Sequence, residues 1–182
     1  MSGSLTGLEA LSVLLADDNP HMREIVGVLL ENFGIRNVKA VSDGAQAMME
    51  LRNWQADLAI IDFKMAPVDG VTFTRLVRNS PESRNPYLPI IMMTGHSART
   101  RVFEARDAGV NEFVAKPVTA RTLLDRIVAT IYRPRAFVRT KDYFGPDRRR
   151  RADPDYPGPL RRAAELDGLH VGGPSVSVGQ QW

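Results

Sequence analysis

Short apolar runs alternate with stretches whose apolar residues recur every three or four positions, and the alternation repeats five times before it stops near Tyr132. Leu11–Ala16, Asn37–Val41, Leu58–Ile61, Ile90–Met93 and Glu112–Ala115 have the length and content of strands. Leu58–Ile61 and Ile90–Met93 are apolar at every position, as expected of strands covered on both faces by helices. The intervening stretches read as helices. Ile25, Val26, Leu29, Leu30 and Phe33 make one stripe that Gly34 stops, and Ala47, Met48 and Leu51 make a second behind a cap at Ser42-Asp43-Gly44. Phe73, Leu76 and Val77 mark a third, Arg99–Ala108 a fourth closed by Gly109, and Leu123, Leu124, Ile127, Val128 and Ile131 a fifth.

Five strand–helix pairs in succession imply right-handed crossovers and a parallel sheet with helices on both faces. The predicted fold is therefore α/β, a doubly wound five-stranded parallel sheet, and the flavodoxin-like order 2-1-3-4-5 would make its first and third strands neighbours. Beyond Tyr132 the pattern gives way to Pro, Gly, Arg and Asp, including Gly145-Pro-Asp-Arg-Arg-Arg-Arg151, which cannot build a second core. The expected organisation is a lead at 1–10, one domain at 11–132 and a poorly structured basic tail at 133–182.

Charge follows the same division. Residues 1–132 carry 14 basic and 15 acidic side chains, whereas 133–182 carry 10 and 6, so the formal +3 resides in the tail. A binding role through the tail, for an acidic protein or, less favoured, nucleic acid, rests on Arg148–Arg151 with Tyr143 and Phe144 beside them as aromatic anchors. The absence of cysteine excludes disulfides and thiolate chemistry, and no apolar stretch reaches the ~20 residues of a membrane helix. A cytoplasmic protein without a membrane partner is expected.

The strand ends carry the candidate chemistry. Asp17 and Asp18 follow the first strand, Asp62 the third, Thr94 the fourth and Lys116 the fifth. Parallel sheets gather groups at these carboxyl ends into one crevice. Clustered carboxylates repel one another, and a hard cation such as Mg2+ relieves the repulsion. With a lysine and a hydroxyl nearby, such a cluster suits phosphoryl transfer to a carboxylate: Asp62 as nucleophile, Asp17 and Asp18 as metal acids, Lys116 as cation and Thr94 as the hydroxyl that contacts the phosphoryl group. The acidic first turn lacks a glycine-rich phosphate cradle, which disfavours a flavin site on the same fold.

Between Ser12 and Tyr132 the chain resembles the receiver domain of two-component response regulators, the family of the chemotaxis regulator CheY. The resemblance rests on Leu-Leu-Ala-Asp-Asp-Asn, Ile-Ile-Asp-Phe-Lys-Met-Ala-Pro-Val-Asp-Gly, Met-Met-Thr-Gly-His and Phe-Val-Ala-Lys-Pro, with 44 residues from Asp18 to Asp62 and 22 from Thr94 to Lys116. It implies that Asp62 is phosphorylated by a histidine kinase or histidine phosphotransfer protein. It also implies Mg2+ held directly by Asp18, largely through water by Asp17, and by Asp62 and the main-chain carbonyl of Lys64. Thr94 and Phe113 would form the switch pair that remodels the surface of the fourth helix, fifth strand and fifth helix for a downstream protein. Lys64 and His96 would overlook the hydrolytic water and tune phosphoryl lifetime, and the bond Lys116-Pro117 would be cis. The chain departs from the family pattern where Met65 is followed by Ala66 before Pro67. On this reading the protein is a binding switch and not a turnover enzyme; a phosphate-sink intermediate and a nucleic-acid-associated regulator are the alternatives.

Overall fold

The computed structural model describes residues 7–95 and 99–148. Five strands, β1 (Ser12–Ala16), β2 (Asn37–Val41), β3 (Leu58–Asp62), β4 (Ile90–Thr94) and β5 (Glu112–Ala115), pair in parallel in the order β2-β1-β3-β4-β5. Helices α1 (Pro20–Asn32), α2 (Gly44–Asn53), α3 (Gly70–Asn79), α4 (Arg99–Ala108) and α5 (Ala120–Tyr132) alternate with them. This is the predicted doubly wound architecture, and element ends depart from expectation by one or two residues.

Alternation along each strand splits the core in two. Leu14, Ala16, Ala59, Ile61, Ile90 and Met92 pack with Ala47, Phe73, Val77 and Ala105 on the α2–α4 side. Their neighbours Val13, Leu15, Leu58, Ile60, Ile91 and Met93 pack with Val26, Leu30, Leu123 and Ile127 of α1 and α5. The unbroken apolar runs in β3 and β4 are thus accounted for, since every position faces a helix. Two stripe residues are exposed. Ile25 is 48% exposed because Val26 and Leu30, one turn apart, set the inward line of α1, and Leu76 sits at the rim beside the inward Phe73 and Val77. At the other end of the chain's lead, Leu8 begins a short 3-10 turn and is fully buried in the α1–α5 core.

Polar caps start the helices. Asn19 accepts from the backbone N–H of His21 and Met22, Asp43 from those of Ala45 and Gln46, Asp69 from Thr72, and Thr119 from Thr122. Among the described residues no helix is long and apolar enough to cross a membrane.

The tail reading is corrected for residues 133–148. Phe137–Arg139 (β6) and Phe144–Pro146 (β7) form an antiparallel hairpin that folds back as a strap against the end of the domain opposite the candidate site. Phe137 and Phe144 are buried, and their rings each lie 5.1 Å from that of Tyr87 in the loop before β4. Beneath them Arg78 of α3 is fully enclosed: its guanidinium lies 5.1 Å from the Phe137 ring centroid and donates to the carbonyls of Gly109 and Pro86 and to Asn111 Oδ1. Burial lowers its pKa to about 9, with Tyr143 acting the other way, which leaves it charged at neutral pH. Backbones touch here. A Cβ on Gly145 would stand 2.8 Å from Gly109 Cα, so the close approach requires glycine. Phe144 is therefore core and not a binding anchor, and the half-buried Tyr143 donates its hydroxyl to the Pro146 carbonyl. Arg149–Arg151 and the rest of the tail lie outside the described residues.

Candidate functional site

Register brings the strand ends together. Ala16 pairs with Ile61, which sets Asp17 beside Asp62, while Asp62 pairs with Met93 and Thr94 with Ala115, which sets Lys116 one strand further on. The long lysine side chain spans the gap. Its Nζ lies 2.7 Å from Asp17 Oδ2 and 2.6 Å from Asp62 Oδ1. The second oxygens of both acids accept backbone donors, Asp17 Oδ1 from Asn19 N–H at 2.9 Å and Asp62 Oδ2 from Lys64 N–H at 2.9 Å. Arg23 donates to the Asp17 carbonyl, tying α1 to the same loop.

Burial sets the electrostatics. Asp17 is fully buried and Asp62 nearly so, whereas Asp18 is exposed. Burial pushes the Asp62 carboxyl above its ordinary range, with Lys116 opposing the rise and Asp17 adding to it. For Lys116 burial disfavours the charge, but its hydrogen bonds to Asp17 and Asp62 outweigh burial and hold the ammonium above its ordinary value. Carboxylate oxygens of Asp17, Asp18 and Asp62 lie within 4.8 Å of one another. An all-oxygen donor set with one exposed member fits a hard divalent cation that keeps part of its water, because two buried charges are otherwise countered by a single lysine.

The loop after β3 is folded tightly over the acceptor. Gly70 N–H donates to the Phe63 carbonyl, and a Cβ on Gly70 would stand 2.3 Å from the Asp62 carbonyl oxygen and 3.1 Å from Met92 Cε. Gly70→Ala is therefore expected to cost about 1–3 kcal/mol in thermal or urea unfolding and to displace the Asp62 main chain. A variant as stable as the parent would refute the close packing. Within this loop Ala66-Pro67 is cis, and at the other side of the crevice Lys116-Pro117 is cis as expected.

Thr94 and Phe113 share a face. Met92 pairs with Phe113 and Thr94 with Ala115, so alternation places all four side chains on the α2–α4 side, with Thr94 buried and Phe113 half-buried against that core. The register thus assembles Asp17, Asp18, Asp62, Thr94 and Lys116 at one crevice, with Phe113 one step down the sheet from Thr94. The Lys64 side chain is exposed beside it, and His96 lies outside the described residues. Asn19 and Arg23 were not singled out by sequence; a short polar side chain before Pro20 signals a cap, but nothing in the sequence marks its hold on Asp17.

Comparison with known proteins agrees with this geometry. The family model of the response regulator receiver domain matches residues 13–128. Chemotaxis protein CheY of Pseudomonas aeruginosa is 34% identical over 117 residues, covering 64% of this chain and 93% of that protein. The CAI-1 autoinducer sensor kinase/phosphatase CqsS of Vibrio cholerae is 33% identical over 119 residues, 65% of this chain and 17% of that one. Among solved structures, the receiver domain of a Pseudomonas aeruginosa sensor histidine kinase, with a magnesium ion coordinated in its active site cleft, superposes with a TM-score of 0.57 at 29% identity, covering 65% of this chain and 94% of that domain.

Proposed function

Because the chain belongs to the response regulator receiver domain family, we propose that it acts as a response regulator, phosphorylated on Asp62 and signalling through phosphorylation-dependent affinity for a partner protein. The observation that carries this reading is the Lys116 ammonium bridging the buried Asp17 and Asp62 at the mouth of the sheet. Such an arrangement opposes the protonation that burial favours at a carboxylate nucleophile while holding a cation where phosphoryl oxygens would gather charge.

In the proposed step an Asp62 carboxylate oxygen attacks phosphorus, the oxygen–phosphorus bond forms, and the bond to the donor's nitrogen or oxygen breaks in line with it. The donor is the phosphohistidine of a kinase or phosphotransfer protein. Lys116 neutralises one equatorial oxygen and the Thr94 hydroxyl donates to another. Asp17, Asp18, Asp62 and the Lys64 carbonyl would hold Mg2+, which supplies charge neutralisation when bound. Rearrangement of Thr94 towards the phosphoryl group would free space beside Phe113, and the shared face of these two residues carries the change to α4, β5 and α5. Each phosphorylation resets one molecule, so the protein acts as a switch and not as a turnover enzyme.

The test is chemical. Incubation with Mg2+ and acetyl phosphate should add about 80 Da to the intact protein, and chelation should prevent it. An unmodified mass under these conditions, or an adduct indifferent to the metal, would sink the reading.

A further inference from the structure

Within the acidic cluster Asp18 is the member whose side chain nothing holds. It is exposed and, among the described residues, forms no hydrogen bond or ion pair, yet its carboxylate oxygen lies within 4.8 Å of oxygens from Asp17 and Asp62. Its place therefore comes from the main chain that carries it. Asp17 is pinned on three sides: its N–H donates to the Val41 carbonyl at 3.3 Å, its Oδ1 accepts from the Asn19 N–H at 2.9 Å and its Oδ2 from the Lys116 ammonium at 2.7 Å. What these contacts constrain least is rotation about the Asp17 Cα–C bond. A peptide group is planar, so the direction of the Asp17 carbonyl fixes the direction in which the chain leaves for Asp18. That carbonyl is held by Arg23, whose Nη1 donates to it at 2.6 Å.

Arg23 serves its own helix poorly. It is the fourth residue of α1, near the N-terminus, where the macrodipole disfavours a cation. Among the described residues it forms no ion pair, and its half-buried side chain turns back to the loop before the helix. A guanidinium beside a dication site also repels the ion that the carboxylates attract. Neither helix stability nor charge balance accounts for an arginine at this position, whereas the carbonyl it holds does.

We propose that Arg23 is a positioning residue for the divalent-cation site: by fixing the Asp17–Asp18 peptide it aims the otherwise unheld Asp18 carboxylate at the place shared with Asp17 and Asp62. The proposal rests on the reading of that crevice as a Mg2+ site. Arg23 acts through the peptide and not as a ligand.

Titration of the full 15N-labelled chain with magnesium chloride, against potassium chloride at matched ionic strength, reads the affinity from chemical shifts at residues 17–19 and 62–64. Arg23→Met keeps the aliphatic stem and removes both donor and charge. It should weaken Mg2+ binding about tenfold, as expected for a residue that orients a metal ligand, although loss of a positive charge by itself would tighten binding. Arg23→Lys restores a charged donor and should return the affinity to within about threefold of the parent. In metal-free spectra Arg23→Met should differ from the parent at residues 17–19 and around residue 23, and match it along β3 and β5. Unchanged or tighter binding in Arg23→Met, a lysine variant no better than the methionine one, or metal-free differences spread through β3 and β5 would each overturn the proposal while leaving the metal site standing. A parent chain that binds no Mg2+ would overturn the reading of the crevice, and this proposal with it.

Discussion

Asp62→Asn is expected to abolish phosphoryl uptake from acetyl phosphate while leaving the fold intact. An amide of the same shape keeps the packing, but it supplies neither the carboxylate nucleophile nor the third negative charge of the acidic cluster. Stability should move in the opposite direction to function. Burial raises the Asp62 pKa in the folded protein, so what this group contributes to stability is fully present below its unfolded value and is lost as pH rises through the folded one. Once ionised the group is a net cost in the metal-free protein, opposed by Lys116 and increased by Asp17. The metal-free Asn variant should therefore melt no lower than the parent at pH 7, and any advantage should shrink in acid, where the parent carboxyl is protonated. Intact-mass spectrometry and thermal unfolding at two pH values check both halves. An 80 Da adduct that persists in the variant, on the order expected for one phosphoryl group, would place the acceptor elsewhere.

The crevice was legible in the sequence because parallel sheets fix where functional groups stand. Once Leu58–Ile61 and Ile90–Met93 read as strands buried on both faces, Asp62 and Thr94 could only fall at their carboxyl ends. The register Ala16–Ile61 then set Asp17 beside Asp62. The direct double contact of Lys116 was not legible, since nothing along the chain says that a lysine reaches across one intervening strand to Asp62 and two to Asp17. Helix faces were legible to within one position, as Ile25 and Leu76 illustrate: a stripe of adjacent apolar residues does not reveal which edge meets the sheet. The strap escaped for a different reason. Its strands have three residues each, too short for a period, and they cover the end of the sheet, where no alternating pattern is demanded. Phe137 and Phe144 were the available signal, diluted by the surrounding Pro, Gly and Arg. Arg78 was equally hidden, because a helical arginine reads as solvent-facing until something is known to cover it.

That cover should prove to be part of the core. Phe137→Ala is expected to lower the unfolding free energy by about 3–5 kcal/mol, the range for a large aromatic lost from a packed interior. Phe137 is 2% exposed between Tyr87 and Phe144 and roofs the Arg78 guanidinium, so its removal both opens a cavity and admits water to a buried charge. The hairpin lies near the end of the described chain, however, and a segment in that position can come away without global unfolding. Undocking sets a ceiling: no strap substitution can cost more than the free energy with which the strap binds the rest of the domain. A chain ending at Tyr132 measures that ceiling. Urea unfolding of the two proteins should show the truncated chain losing at least as much as Phe137→Ala, and equal losses would mean that the substitution frees the whole strap. If both stay within about 1 kcal/mol of the parent, a typical surface effect, residues 133–148 are an appendage. The larger loss would instead make Tyr87, Arg78 and the hairpin one cooperative unit, joining α3 to the loop between α4 and β5 through the carbonyl of Gly109. That loop leads straight into the strand that bears Phe113.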